Sequence, residues 1–271
     1  MLLSIIIPVY NERTTLETVL ARVASALPGV DKEIIVVDDC STDGTREWLR
    51  EKFPASPAEV SALVFDGMGR IAPAPRNDHP AVAIRVHYHD RNRGKGGGIA
   101  TGLSLVTGDV IIIQDADLEY DPEDWVVMYN LIAIRKVADF VYGSRFYGRP
   151  HRSLYFHHYL GNRIISMLFS MLYDQTLTDI ETCYKMFSRE VKDCLAITCN
   201  DFGFEVQISA QVARARRWRI YEMGIHFYAR TYAEGKKIDW RDGLKALWYV
   251  VWFRVSRHGA PRFAAATQKV I

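Results

Sequence analysis

Three short runs of β-branched residues punctuate the first half of the chain: Ser4–Pro8, Glu33–Asp38 and Asp109–Gln114. Each is apolar at nearly every position between its ends, the pattern of a parallel strand covered on both faces. Helical spacing alternates with them. Leu16, Val19, Leu20, Val23 and Leu27 fall on one helical face behind Thr14–Thr15, which can cap the start. Ile99, Ala100, Leu103 and Val106 repeat the pattern behind a glycine-rich turn. This alternation predicts an α/β fold with a doubly wound, mostly parallel central sheet and helices on both faces.

The pattern loosens between Phe53 and His89, a stretch with five prolines that reads as a surface excursion ending in a strand near Ala83–Tyr88. Arg152–Asp174 is aromatic and apolar with little Gly or Pro, and predicts a helix. Trp218–Tyr228 reads as a strand or hairpin. The cleanest periodicity lies in Asp239–Val255, where Trp240, Leu244, Leu247, Trp248, Val251, Trp252 and Val255 share one helical face. Tyr249, Val250 and Phe253 interrupt the opposite side. One face can therefore pack on the body while the other leaves an aromatic strip exposed beside Arg241, Lys245, Arg254 and Arg257. The chain divides on this basis into a body, 1–238, and a C-terminal amphipathic helix with a basic tail, 239–271.

Composition adds two constraints. Hydrophobic residues make up 49% of the 271, too many for disorder, yet no apolar run approaches the roughly 20 residues of a spanning helix. The opening MLLSIIIPVY lacks a basic start and a cleavage site, so it reads as a buried strand and not a signal peptide. Cys40, Cys183, Cys194 and Cys199 form no CxxC pair and read as reduced thiols. The net charge of +2 hides an asymmetry: 13 Lys and Arg stand against 4 Asp and Glu from Val212 onward, and 21 against 28 before it. A basic end on an acidic body points to an anionic partner there.

Candidate chemistry gathers where strands end. Asp115, Asp117 and Glu119 follow the third strand directly, and alternate residues of an extended segment point the same way. They would converge at the carboxyl end of a central parallel strand, where open α/β sheets bind ligands. Crowded carboxylates at such a place suit Mg²⁺ or Mn²⁺ held together with substrate phosphate oxygens; a solvated acidic turn is the plainer alternative. Asp38-Asp39 ends the second strand in the same topology, as a ligand acceptor or as a helix cap. Arg91–Gly98 opens a helix with a basic, glycine-rich turn that matches neither nucleotide-binding fingerprint.

Seven segments occur together in order: IPVYNE (Ile7–Glu12), VVDDCSTDGT (Val36–Thr45), RGKGGG (Arg93–Gly98), QDADLEYDPED (Gln114–Asp124), GSRF (Gly143–Phe146), DIETCYKMF (Asp179–Phe187) and RTYAEGKK (Arg230–Lys237). In them the chain resembles the family 2 glycosyltransferases, and among these the polyprenyl- and dolichol-phosphate mannosyl- and glucosyltransferases, from about Leu2 to about Tyr249. The resemblance implies a GT-A fold over 1–238, a nucleotide-sugar donor, a divalent metal and inversion at the anomeric carbon. By the same resemblance Pro8, Tyr10, Glu12, Val36 and Asp38 would line the base pocket, and Asp115 and Ala116 would lie near ribose and sugar. Asp117 and Glu119 would hold the metal, although relatives with a lipid-phosphate acceptor often have Gln in place of Glu119. Arg230 and Lys236 would grip the diphosphate. Arg145 would meet donor or acceptor phosphate, and Arg152, at a looser spacing, would be the second acceptor arginine.

The expected function is transfer of mannose or glucose from a GDP- or UDP-sugar to a polyprenyl phosphate by a peripheral protein at the cytoplasmic membrane face. Metal and Arg/Lys would stabilise charge building on the leaving phosphate. A phosphate acceptor is already anionic, whereas a soluble or glycolipid hydroxyl, the alternative acceptor, would need a base; Asp179, Glu181 and Glu205 are the available carboxylates. No nucleic-acid partner is expected, because the basic end lacks the interleaved aromatic and basic strand motif of RNA readers. A non-catalytic nucleotide- or nucleic-acid-binding protein is the distant alternative.

Overall fold

A computed structural model describes residues 1–54, 63–65, 71–73, 82–148, 150, 152, 156–230 and 240–262. The three β-branched runs form β1 (Leu3–Val9), β2 (Lys32–Asp38) and, after β3 (Leu63–Phe65), β4 (Ile71–Pro73) and β5 (Val82–Tyr88), β6 (Val110–Ile113). β7 (Phe140–Ser144), β8 (Lys185–Ser188) and β9 (Ile220–Gly224) complete a seven-stranded sheet in the order β5-β2-β1-β6-β8-β7-β9. β5, β2, β1 and β6 run parallel, as do β7 and β9, while β8 lies antiparallel between β6 and β7. β3 and β4 pair separately. The fold is the expected α/β, mostly parallel architecture.

Helices α1 (Leu16–Ser25), α2 (Thr45–Lys52) and α3 (Gly94–Leu105) connect the first strands. The core is continuous through β1, β2 and β6, whose aliphatic side chains are almost wholly excluded from solvent. Thr15 does sit at the start of α1, but its hydroxyl makes no cap there; it bonds Glu12 Oε2 and the Ala116 carbonyl, both at 2.9 Å, and ties the β1 loop to the β6 loop. Gly96–Gly98 likewise depart from the predicted turn, because these glycines are already helical, while Gly94, at φ +76°, keeps the turn conformation at the helix entry. Glycine in a helix costs about 1 kcal/mol relative to alanine, and close approach explains its presence. The Gly96 amide donates to the Asn200 carbonyl at 2.9 Å, and a Cβ at Gly96 would collide with the Cys199 carbonyl.

The remaining helices are α4 (Trp125–Tyr129), α5 (Phe156–Tyr173), α6 (Arg189–Lys192), α7 (Phe204–Ala215) and α8 (Trp240–Val255). Trp218–Tyr228 contains the edge strand β9 and, after it, the bridge residue Phe227, and forms a strand and not a hairpin. α8 packs on α5 and α7 through Ala246, Val250 and Phe253. Tyr173 Oη donates to the Val250 carbonyl at 3.0 Å, and Arg214 Nη1 to the Phe253 carbonyl at 2.7 Å. The more regular face, Leu244, Trp248, Val251, Trp252 and Val255, is the one left exposed. α5 also leaves Phe156, Tyr159, Leu160, Ile164, Met167 and Met171 uncovered. All four cysteines are free thiols. Among the described residues no helix is long and apolar enough to cross a membrane.

Candidate active site

Parallel strands β1, β2 and β6 all end on one edge of the sheet, and their loops carry the acidic residues singled out by sequence. Beyond β6 the chain bends through residues 116–119 instead of staying extended as the alternation of Asp115, Asp117 and Glu119 predicts, and the three carboxylates are kept near one another by that turn. The Glu119 amide donates to Asp117 Oδ1 at 3.1 Å. Past β9 the chain doubles back along this loop: Tyr120 pairs with Phe227, and the Tyr228 amide donates to the Glu119 carbonyl at 2.8 Å. That return delivers Arg230. Its amide donates to Glu119 Oε1 at 2.6 Å and its Nη2 to Asp117 Oδ2 at 2.7 Å, while Nη1 lies 3.9 Å from Glu12 Oε1. One guanidinium thus serves three carboxylates. Its Nε, 3.5 Å from Glu119 Oε1, is buried and makes no hydrogen bond.

Among the described residues the carboxylates outnumber the cations around them. Burial pushes the Asp117 carboxyl up to about 7, and the neighbouring Asp115 and Glu119 charges add to the shift; Arg230 opposes it. Asp115 has its own partner, Lys95 Nζ at 2.8 Å, and Lys95 also lies 3.5 Å from Glu205 of α7. Behind them Lys185, fully buried, donates to the Thr182 carbonyl and sits 3.7 Å from Glu205. Lys95 was not singled out by sequence, because its glycine-rich surroundings read as a flexible turn. The glycines were the usable signal: they let the start of α3 press against residues 199–201 and bring Lys95 under the β6 loop.

Arg145, in the turn after β7, is held differently. Its Nε and Nη2 each donate to an oxygen of Asp179 at 2.7 Å, its amide adds a third bond at 3.0 Å, and Phe227 lies under the guanidinium. Asp179 is completely buried. Glu181 lies in the field of Arg145, Asp179, Lys185 and Glu205, and burial foremost, with the Glu205 charge second, pushes its carboxyl up to about 7.

The other predicted residues fall at varying distances from this centre. Tyr10 is exposed and Pro8 packs against Gly98. Val36 and Asp38 expose no surface, and Asp38 is closed off by Arg46 Nε at 2.6 Å. Its neighbour Asp39 holds the entry to α3, accepting from the Arg93 and Gly94 amides at 2.7 and 2.8 Å and meeting His89 Nδ1 at 2.7 Å. Ala116 is buried. Arg152 is exposed and donates to the Ala229 carbonyl at 3.1 Å, next to Arg230. Lys236 lies outside the described residues. The structure therefore joins Glu12, Asp117, Glu119 and Arg230 by direct contact, and links Asp115 to Lys95 and Glu205.

Hard divalent ions accept one or two carboxylates and complete their shell with water and phosphate oxygens. Asp117 and Glu119 fit that donor set, being two neighbouring carboxylates that share one guanidinium among the described residues. Among the described residues no three His, Cys, Asp or Glu side chains form a ready-made cage.

Residues 4–195 match the family described as Glycosyl transferase family 2. The chain belongs to that family. Similar proteins include the dolichol-phosphate mannosyltransferase of Pyrococcus furiosus, 32% identical over 146 residues, which spans 54% of this chain but 34% of the relative. The undecaprenyl-phosphate mannosyltransferase of Micrococcus luteus is 28% identical over 241 residues and 85% of each chain. Among solved structures, glucosyl-3-phosphoglycerate synthase of Mycobacterium tuberculosis, in complex with Mn²⁺, UDP-glucose and phosphoglyceric acid, superposes with a TM-score of 0.64 at 17% identity, over 96% of this chain and 80% of its own. The family 2 glycosyltransferase described here shares its GT-A fold.

Proposed function

We propose that this glycosyltransferase moves mannose or glucose from a GDP- or UDP-sugar to a polyprenyl phosphate, working peripherally at the cytoplasmic face of a membrane. The carrying observation is the acidic cluster at the end of β6 with Arg230 set against it. Mg²⁺ or Mn²⁺, held by Asp117 and Glu119, would supply Lewis-acid stabilisation of the leaving diphosphate. Arg230 is within reach of the same place and offers a charged donor to phosphate. Arg145, fixed by Asp179, presents a pre-oriented cation for the second phosphate, and fixed donors need no reorganisation as charge develops. The polyprenyl-phosphate acceptor is the chemistry named for both mannosyltransferase relatives.

The membrane reading is supported by the exposed apolar faces of α5 and α8, two helices that pack on each other. Trp248 and Trp252 stack in the open at 5.3 Å, and Arg254 and Arg257 farther along the chain are exposed as well, Arg254 with its Nε on the Leu172 carbonyl of α5. Aromatic side chains beside basic ones suit an interface with anionic lipid, where each basic residue contributes about 1 kcal/mol.

Glu181 favours a second reading. A carboxyl near 7 is poised to take a proton from a sugar or glycerate hydroxyl, a step a phosphate acceptor does not need. One experiment separates the two. Thermal shift with a panel of GDP- and UDP-sugars plus Mn²⁺ identifies the donor, a saturating ligand adding about 2.7 kcal/mol at 100 times its Kd. Transfer is then followed to polyprenyl phosphate and to hydroxyl acceptors. Product on the lipid phosphate that survives Glu181→Gln supports the first reading; product only on hydroxyl acceptors, lost in Glu181→Gln, replaces it.

A further inference from the structure

A guanidinium that faces three carboxylates at once is unusual company for a residue whose task is to grip phosphate. Arg230 Nη2 bonds Asp117 Oδ2 at 2.7 Å, Nε lies 3.5 Å from Glu119 Oε1, and Nη1 lies 3.9 Å from Glu12 Oε1. Only one of these is a good side-chain hydrogen bond, and Nε is buried without any. The arrangement is set by charge more than by fitted geometry. Lys95 cannot take over, since it is committed to Asp115 and Glu205, and Arg145 is locked on Asp179.

Asp117 and Glu119 are also the oxygens that suit a divalent cation. A dication held by the Asp117 carboxylate would stand next to the guanidinium already bonded to it, and like charges so close repel strongly in a partly buried site. Arg230 and the metal therefore compete. A diphosphate changes the balance, because it gives the planar guanidinium a bidentate partner of higher charge.

From this geometry we infer that Arg230 is a built-in counter-ion for the metal carboxylates, displaced onto the diphosphate when donor binds, so that donor and metal each promote the other's binding. The inference rests on the metal and donor reading given above. It adds that Arg230 works against the metal when no donor is present. By linkage, whatever factor the nucleotide lends to metal affinity the metal lends back to the nucleotide.

Calorimetry of Mn²⁺ alone with wild type, Arg230→Met and Arg230→Lys tests it, with melting temperatures checking the fold and Asp117→Ala marking the site. A lost charge-assisted contact corresponds to roughly a tenfold to hundredfold change in affinity. Mn²⁺ alone is expected to bind Arg230→Met at least about tenfold tighter than wild type, with Arg230→Lys between them. UDP or GDP in the presence of Mn²⁺ should instead bind Arg230→Met more weakly. A residue that only grips diphosphate would leave the affinity for Mn²⁺ alone unchanged, and that result overturns the counter-ion while leaving the metal reading intact. Absence of Mn²⁺ binding to every variant, with and without nucleotide, overturns both.

Discussion

Arg145 and Arg230 were expected to do similar work, yet the fold treats them in opposite ways. Arg145 is clamped by two side-chain bonds and one main-chain bond to a carboxylate with no exposure to solvent, and an aromatic ring lies under it. Arg230 is spread over three carboxylates and half-buried, with one donor unused. The first arrangement fixes direction. The second leaves a charge free to exchange partners. Two arginines in one site can therefore differ less in what they touch than in how firmly they are held.

The largest effect expected is on Asp117. Asp117→Ala removes a carboxylate whose burial is already unfavourable, so the fold should be unharmed, while transfer falls by roughly two orders of magnitude or more. Radiolabelled sugar transfer and a melting curve measure the two halves, and wild-type transfer in EDTA would remove the metal from the account.

Stability should split the two arginines next. Asp179→Asn breaks a buried pair and leaves Arg145 uncompensated, at a cost of about 3 kcal/mol. Arg230→Met gives up a looser, more accessible contact and should cost about 1 kcal/mol or less. Urea unfolding measures both, and equal losses would erase the distinction drawn between them.

Arg254→Glu/Arg257→Glu should weaken binding to anionic vesicles, and hydrolysis of soluble donor should be spared because neither residue contacts the acidic cluster. Wild-type binding should itself fall steeply with added salt. Co-sedimentation at two salt concentrations reads this; vesicle binding that ignores both salt and the double substitution would take the basic strip out of the interface.

The smallest effect concerns pH. Glu181 carries its proton in the folded chain up to about 7, above the ordinary glutamate value near 4.5. Its contribution to stability is thus fully present below the ordinary value and is lost as pH rises toward 7. Glu181→Gln should flatten that part of the stability profile between pH 5 and 7, read by thermal unfolding. An unchanged slope would place the proton elsewhere.

Much of this molecule was legible because its central strands are written in unbroken β-branched runs. Ile5–Ile7, Ile34–Val37 and Val110–Ile113 can hardly be anything but sheet interior, and their carboxyl ends located the acidic cluster in advance. What stayed hidden depends on distant partners. Nothing local says that Thr15 turns from its helix to the Ala116 carbonyl, or that Asp179 closes on Arg145 across 34 residues. The glycines of α3 looked like a turn because their reason, the carbonyls of Cys199 and Asn200, lies a hundred residues away. On α8 two apolar faces compete, and the choice falls to Ala246, Val250 and Phe253 because α5 and α7 are there to receive them.

The single reversed strand has a consequence for how such an enzyme can change. Because β8 runs against β6 and β7, the segment entering it arrives on the very edge where its neighbours leave. Asp179 and Glu181 stand in that entering segment, whereas Asp115, Asp117 and Glu119 hang from β6. Residues 174–184 reach Arg145 through Asp179, yet the same stretch is buried against the β6 loop, where Tyr184 Oη donates to Gln114 Oε1 and the Cys183 amide to Tyr120 Oη. A substitution in that short entry is therefore felt at Arg145 and at the acidic cluster together.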